Sequence, residues 1–194
     1  MNELQDQLNK LNLNIDKIQS TIGYTFKNET LLVQAFTKDT FAIDYNKNFR
    51  DTKEDNKVLA YIGRKMYDLA ITIYELNAQG HTNRDGEYIV DYDLDTLEER
   101  SQKINNECKN SVVIAINFFF TYLLIGINES NEVRVIPKVM SDLFEAIIGA
   151  IAVDSNYNLK DICIVSEKMA KIKSKLQMLD TIYKNLHGEK MMLV

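Results

Sequence analysis

Two carboxylates stand out because they lie in an otherwise apolar segment, residues 138–154, with the sequence KVMSDLFEAIIGAIAVD. Asp142 and Glu145 are three residues apart, so a helix would place them one turn apart on the same face. The apolar residues around them predict a helix that is buried on nearly all sides. A buried carboxylate is costly unless it binds a metal ion or a cationic side chain. The pair therefore indicates a functional site or the remains of one.

This segment resembles the helix of ribonuclease III domains that carries the second half of their metal site. Residues 22–41, IGYTFKNETLLVQAFTKDTF, resemble the same family's Gly-Tyr-x-Phe turn, Leu-Leu helix and Thr-His-x-Ser-Tyr run, with Lys38 at the His position. A weaker match, INNE, lies at residues 104–107. The resemblance covers residues 22 to about 165 and implies an all-α, ribonuclease III-type helical domain.

The family's signature, Asn-Glu-x-Leu-Glu-Phe-Leu-Gly-Asp, is altered in this chain. Residues 56–64 read NKVLAYIGR, which keeps the Asn, the first Leu and the Gly of the pattern. The three acidic positions are occupied instead by Lys57, Ala60 and Arg64. None of these side chains can serve as a carboxylate ligand.

The resemblance implies that acidic groups of this helix and of the Asp142–Glu145 helix together bind Mg²⁺, which activates water to cleave a phosphodiester. Hard divalent cations need clustered carboxylate oxygens. Because Lys57 and Arg64 bring positive charges instead, we expect them to pair with Asp142 and Glu145 in place of the ion.

Neighbouring acids offer a way to rebuild the site. Glu54 and Asp55 precede the signature-like segment, and Asp68 lies one helical turn after Arg64. Carboxylates are usually solvated surface groups, and we interpret these three in that way. No cofactor is therefore expected; if the site were active, Mg²⁺ would bind at Asp142 and Glu145 with a third, unrecognised carboxylate.

Composition favours one all-α domain with additions. The chain has 194 residues, 45% of them hydrophobic, but only one Pro and seven Gly, so helix breakers are scarce. Residues 1–20 and 166–187 each carry apolar residues spaced alternately three and four apart, which predicts amphipathic helices that pack on a neighbour. We divide the chain into an N-terminal helix at 1–20, a ribonuclease III-like domain at 21–165, and a C-terminal helix and tail at 166–194.

Within the domain, the periodicity predicts two central helices that pack together. One spans residues 57–76, and Pro137 can begin the other because proline suits the first helical turn. Residues 118–127 lie between these two helices in the sequence, and their apolar composition predicts a buried segment.

Two shorter stretches precede these helices. Residues 28–35 predict a helix with Asn28 or Thr30 as its cap. Residues 45–55 are polar and predict an exposed loop, whereas residues 95–117 predict a helix.

The formal net charge of −5 weighs against a free-standing, high-affinity RNA binder, because such binding depends on phosphate neutralisation. Binding of double-stranded or structured RNA is therefore expected to be weak alone. Cys108 and Cys163 imply no disulfide framework, which fits a reducing, intracellular compartment. The apolar run over residues 112–127 is too short to span a membrane.

The resemblance also implies a homodimer, or a heterodimer with a related domain, through Leu59, Tyr61 and Ile62, with Tyr61 at the family's Phe position. Three functions remain open. The leading one is a catalytically silent, RNA-associated scaffold or dimer partner in RNA processing or a ribonucleoprotein. The others are a divergent but active double-stranded-RNA endonuclease and a protein-interaction module without RNA binding.

Overall fold

The computed structural model describes residues 2–79, 81–82, 88–89, 95, 98–99, 102 and 117–166. Nearly all regular structure in these ranges is helical, which confirms the all-α prediction. In chain order the elements are α1 (Asn2–Asn12), α2 (Ile15–Ile22), α3 (Glu29–Ala35), α4 (Asp39–Asn48), α5 (Lys57–Gln79), β1 (His81–Thr82), β2 (Tyr88–Ile89), α6 (Asn117–Phe120), a 3₁₀ helix (Asn131–Val135), α7 (Pro137–Asp154) and α8 (residues 159–166). The two short strands pair antiparallel, with His81 opposite Ile89.

Helices α5 and α7 form the centre of the domain and cross at two glycines. A Cβ on Gly63 would overlap the carbonyl oxygen of Glu145, and a Cβ on Gly149 would overlap that of Leu59. Only glycine therefore lets the two backbones approach this closely. The expected packing of these two helices is confirmed.

Helix α7 is buried along most of its length because its neighbours surround it. Its core residues are Met140, Leu143, Phe144, Ala146, Ile147, Ile148, Ala150, Ile151 and Ala152. Pro137 occupies its first turn, as predicted. Asp154 at its end accepts hydrogen bonds from the backbone N–H groups of Lys27 and Asn28 and from the Tyr24 hydroxyl, which ties the α2–α3 connection to α7.

A turn at Leu13 and Asn14 separates α1 from α2, so the prediction of one continuous helix over residues 1–20 is wrong. Leu13 is 86% exposed, and the Asn14 side chain donates to the carbonyl oxygen of Lys10 at 2.8 Å. Asparagine competes with helical hydrogen bonds in this way. The predicted apolar seam nevertheless packs in the common core: Leu4, Leu8, Leu11 and Ile18 are buried, and Ile15 is partly buried against them.

The expected exposed loop over residues 45–55 begins later than predicted, because α4 continues to Asn48. Tyr45 is buried, and its ring stacks on those of Phe41 and Phe49, with centroids 5.6 Å and 4.3 Å away. These aromatic side chains recur every four residues, so one helical face buries them together.

Other local predictions agree with the structure. Asn28 caps α3, since its side chain accepts a hydrogen bond from the backbone N–H of Thr30. Most of the segment over residues 118–127 is buried. The INNE match, most of the helix predicted over residues 95–117, and the C-terminal seam lie outside the described residues. In the part that is described, no helix is long and apolar enough to cross a membrane.

Replacing Gly63 by Ala should push α5 and α7 apart. The added methyl meets backbone, which cannot rotate away, so we expect a loss of about 3 kcal/mol in unfolding free energy, at the upper end of overpacking costs. Denaturant unfolding followed by circular dichroism measures this loss. Lys65→Ala, at an exposed position of α5, should change stability by less than about 0.5 kcal/mol. Equal stability of the two variants would contradict the close contact.

Candidate functional site

The crossing of α5 and α7 brings Arg64 against Glu145. The Nε and Nη2 atoms of Arg64 lie 3.0 Å and 2.7 Å from the same oxygen, Oε2 of Glu145. The Glu145 side chain is only 5% exposed, whereas that of Arg64 is 47% exposed. Arg64 follows Gly63, whose contact with the Glu145 backbone sets this position. The pairing that the sequence predicts for Arg64 and Glu145 is therefore present.

Asp142 lies between two cations. The Lys138 ammonium is 3.2 Å from both of its carboxylate oxygens, and Arg64 Nη2 is 3.9 Å from Oδ1. The hydrogen bond and the charge of Glu145, with a smaller effect of Asp142, raise the pKa of Arg64. The guanidinium is thus fixed as a cation beside both carboxylates.

Lys57 does not pair with Asp142 or Glu145, so this part of the expectation is wrong. Its ammonium lies 2.8 Å from Oδ2 of Asp39 and 4.0 Å from Oδ2 of Asp55. Lys57 is the first residue of α5, two turns before Arg64. The element beside this first turn is the start of α4, which begins at Asp39. The third substituted position, Ala60, is buried and contributes only a methyl group to the core.

A second charged network surrounds Lys38, the residue at the family's His position. Its ammonium donates to Oε1 of Glu129 at 2.6 Å, and to Asp39 and Thr40 at 3.2 Å each. The Thr40 hydroxyl donates to the other oxygen of Glu129 at 2.5 Å. Sequence reasoning missed both Asp39 and Glu129. Asp39 stands at the unspecified position of the Thr-His-x-Ser-Tyr run, and Glu129 lies in no motif, 89 residues from Thr40 along the chain.

Asp39 is the carboxylate most affected by its neighbours. The hydrogen bond from Lys57 is the main cause that lowers its pKa to about 2, against the opposing effect of burial. Burial would also raise the pKa of Glu129, but hydrogen bonds from Lys38, Thr40 and the Gly126 backbone together lower it. Both carboxylates are therefore ionised at neutral pH and hold the adjacent lysines.

A cavity of about 300 Å³ separates the two networks. Its apolar wall is formed by Leu123, Ile136 and Val139. Its polar wall is formed by Lys38, Asp39, Asn56, Lys57, Lys138 and Asp142. The cavity thus lies at the N-terminal ends of α5 and α7, beside Lys57 and Asp142, two of the positions that the sequence singled out.

The neighbouring acids do not complete a cluster. Asp55 accepts a hydrogen bond from the Lys57 backbone N–H, and Asp68 contributes to the electrostatic environment of Arg64. Among the described residues, no group of three or more His, Cys, Asp or Glu side chains is placed to hold a metal ion.

The residues expected at a dimer interface differ in exposure. Leu59 is buried within its own chain and Ile62 is half-buried, but Tyr61 is 65% exposed. Val58, which the sequence analysis did not single out, is also 65% exposed, and Leu69 on the same helix is 42% exposed. Helix α5 therefore presents apolar side chains to the outside of the chain.

Comparison of sequences finds relatives that are ribonuclease 3 proteins. One from Roseburia hominis is 36% identical over 160 residues, and one from Treponema succinifaciens is 31% identical over 152 residues. These matches cover 74% and 75% of this chain, but only 42% and 39% of the relatives, so the chain spans less than half of their length. No protein-family model matches the chain.

Comparison of structures finds the nuclease domain of ribonuclease III from Campylobacter jejuni. One such structure, which has a region involved in dimer formation, aligns with a TM-score of 0.60 at 21% identity and covers 84% of this chain and 97% of that domain. A second structure of the domain aligns with a TM-score of 0.56 at 24% identity. The chain is thus a ribonuclease III-like domain, with the fold of that nuclease domain and sequence similarity to part of the ribonuclease 3 proteins.

Proposed function

We propose that this domain is a catalytically silent member of the ribonuclease III family that acts as an RNA-associated scaffold or as a dimer partner in RNA processing or a ribonucleoprotein. The observation that carries the proposal is the position of the Arg64 guanidinium, which donates two hydrogen bonds to Glu145. In this proposal, the guanidinium takes the place of a catalytic metal ion beside the carboxylates.

The donor set does not fit a Mg²⁺ site. Mg²⁺ favours octahedral oxygen coordination, and here the oxygens come from two carboxylates that already have cationic partners. Glu145 is bound by Arg64, and Asp142 by Lys138 with Arg64 nearby. A divalent ion would have to displace the Arg64 guanidinium from the nearly buried Glu145 carboxylate. The positive charge of Arg64 would then remain close to the ion and repel it. No catalytic step through a metal is therefore assigned to this chain.

The retained acids have a structural role in this proposal. A buried carboxylate without a partner is strongly destabilising, whereas a hydrogen-bonded ion pair satisfies it. Arg64 thus accounts for the persistence of Glu145 in the core without any catalytic function. The relatives' name supports RNA as the partner class, and the net charge of −5 favours binding that is weak alone.

Pairing with a second domain is the other part of the proposal. Tyr61 and Val58 place two large, mostly exposed side chains on one end of α5. A two-fold interface uses the same patch on both copies, so one exposed patch on α5 suffices for a homodimer. A related domain with a similar patch would serve equally as the partner.

Removing the guanidinium should destabilise the fold. Arg64→Ala leaves Glu145 buried without its cation, and we expect a loss of about 1–3 kcal/mol, below the 3–5 kcal/mol of a fully buried pair because Arg64 is half exposed. Arg64→Met/Glu145→Met should recover most of this loss, since apolar side chains can replace a buried pair. Denaturant unfolding measures both, and Lys138→Ala, which breaks only an exposed pair, is the control.

If Arg64→Ala is as stable as the parent protein, the carboxylate does not depend on this cation. A double variant that is less stable than Arg64→Ala would also contradict the proposed role of the pair.

The protein should not cleave RNA. Purified protein incubated with long double-stranded RNA and Mg²⁺ or Mn²⁺ is compared on a gel with the Asp142→Asn/Glu145→Gln variant, and neither should produce fragments. Isothermal titration calorimetry should detect no Mn²⁺ binding by the parent. Arg64→Asp, which replaces the cation by a third carboxylate, should gain Mn²⁺ binding.

Cleavage by the parent and not by the Asp142→Asn/Glu145→Gln variant would refute the silent-domain proposal. It would establish a divergent double-stranded-RNA endonuclease that uses these two acids.

Dimerisation should depend on the exposed end of α5. Tyr61→Asp places a charge in the proposed interface, so we expect the dimer dissociation constant to rise by at least about tenfold in sedimentation experiments. Leu13→Ser removes a side chain that is 86% exposed between α1 and α2, and it should leave the dimer unchanged. A monomer at high concentration, with no related domain recovered from cells, would contradict the pairing.

A further inference from the structure

The cavity between the two charged networks has two mostly exposed lysines at its rim, each paired with an aspartate. Lys57 is 67% exposed and Lys138 is 78% exposed, and both line the cavity. Lys57 pairs with Asp39 at 2.8 Å, and Lys138 pairs with Asp142 at 3.2 Å. Exposed pairs of this kind contribute only about 0–1 kcal/mol to stability, so a competing anion can replace either carboxylate as the partner of the lysine.

Each of the two aspartates has a second cation that remains when the lysine moves. Asp39 also accepts a hydrogen bond from Lys38, which is held in place by Glu129 at 2.6 Å. Asp142 also has the Arg64 guanidinium, at 3.9 Å. Neither carboxylate loses its only positive neighbour when Lys57 or Lys138 turns toward a ligand. Either lysine can therefore turn from its aspartate to a ligand without leaving that carboxylate unpaired.

The anion that suits this arrangement is a phosphate group. Lysine binds phosphate as a point charge through three rotatable N–H donors, so it needs no fixed approach angle. Leu123, Ile136 and Val139 line the same cavity and leave room beside the lysines for the apolar part of a phosphate ester.

We propose that Lys57 and Lys138 form a metal-independent clamp for backbone phosphates of double-stranded RNA. The inference rests on the proposed function, which has the domain associate with structured RNA without cleaving it. Direct ammonium–phosphate contacts then perform the binding. Because the clamp has only two lysines and the chain carries a net charge of −5, its binding is weak, and its two phosphate contacts give a salt slope of about −2.

The test measures RNA binding without any divalent ion. A labelled, blunt-ended double-stranded RNA is titrated with the full chain in EDTA, at several KCl concentrations, and fluorescence anisotropy gives the dissociation constant. Lys57→Gln and Lys138→Gln should each weaken binding by about three- to tenfold and reduce the salt slope by about 1, the value for one lost phosphate contact. The double variant should reduce the slope by about 2.

Lys160→Gln is the matched control, because Lys160 is an exposed lysine beyond the far end of α7, whose 18 residues span about 27 Å. It should leave both affinity and slope unchanged. The thermal unfolding midpoints of all variants should stay close to that of the parent, which separates a lost contact from a damaged fold.

Three results would overturn the clamp. The first is a double variant with the affinity and salt slope of the parent. The second is binding that appears only when Mg²⁺ or Mn²⁺ is added, which would also contradict the silent-domain proposal, whereas the first would not. The third is a double variant that binds RNA normally but fails to dimerise in sedimentation, which would assign the two lysines to a protein interface.

Discussion

The close approach of α5 and α7 is the constraint on which the rest of the structure depends. Gly63 and Gly149 lie where each backbone meets the other, and neither position has space for a Cβ atom. The crossing fixes the height at which the two helices face each other, and thereby places Arg64 opposite Glu145. A helix pair held further apart would leave a nearly buried carboxylate beyond the reach of its cation.

Charge balance explains the arrangement around this crossing. Each acidic side chain near the cavity has at least one cationic partner, and Asp39 and Asp142 have two. The partners differ in exposure, since Arg64 and Lys38 are partly enclosed while Lys57 and Lys138 are mostly in solvent. The enclosed cations satisfy the carboxylates, so the exposed lysines remain available for other contacts. This division of roles connects the silent-domain proposal with the proposed phosphate clamp.

Much of the fold could be predicted from local patterns. The apolar periodicity of α5 and α7, the Asn28 cap and the proline at the start of α7 each depend on residues close in sequence, and each agrees with the structure. Errors arose where tertiary packing or side-chain hydrogen bonding competed with the pattern. Tyr45 begins a polar stretch of sequence, but its ring is buried because it stacks on those of Phe41 and Phe49. The side chain of Asn14 bonds to the Lys10 carbonyl and so interrupts an otherwise regular apolar seam.

The sequence by itself determined which charges stand at the signature-like positions: two cations and an alanine at residues 57, 60 and 64, with Asp142 and Glu145 retained on the facing helix. Only the tertiary structure decided how these charges pair. Arg64 reaches Glu145, but Lys57 meets Asp39, and Glu129 joins the network through Lys38. Spacing along one helix sets the direction in which a side chain points. Its partner, however, depends on which other element packs against that part of the helix. That placement is set by long-range packing, which no local pattern encodes.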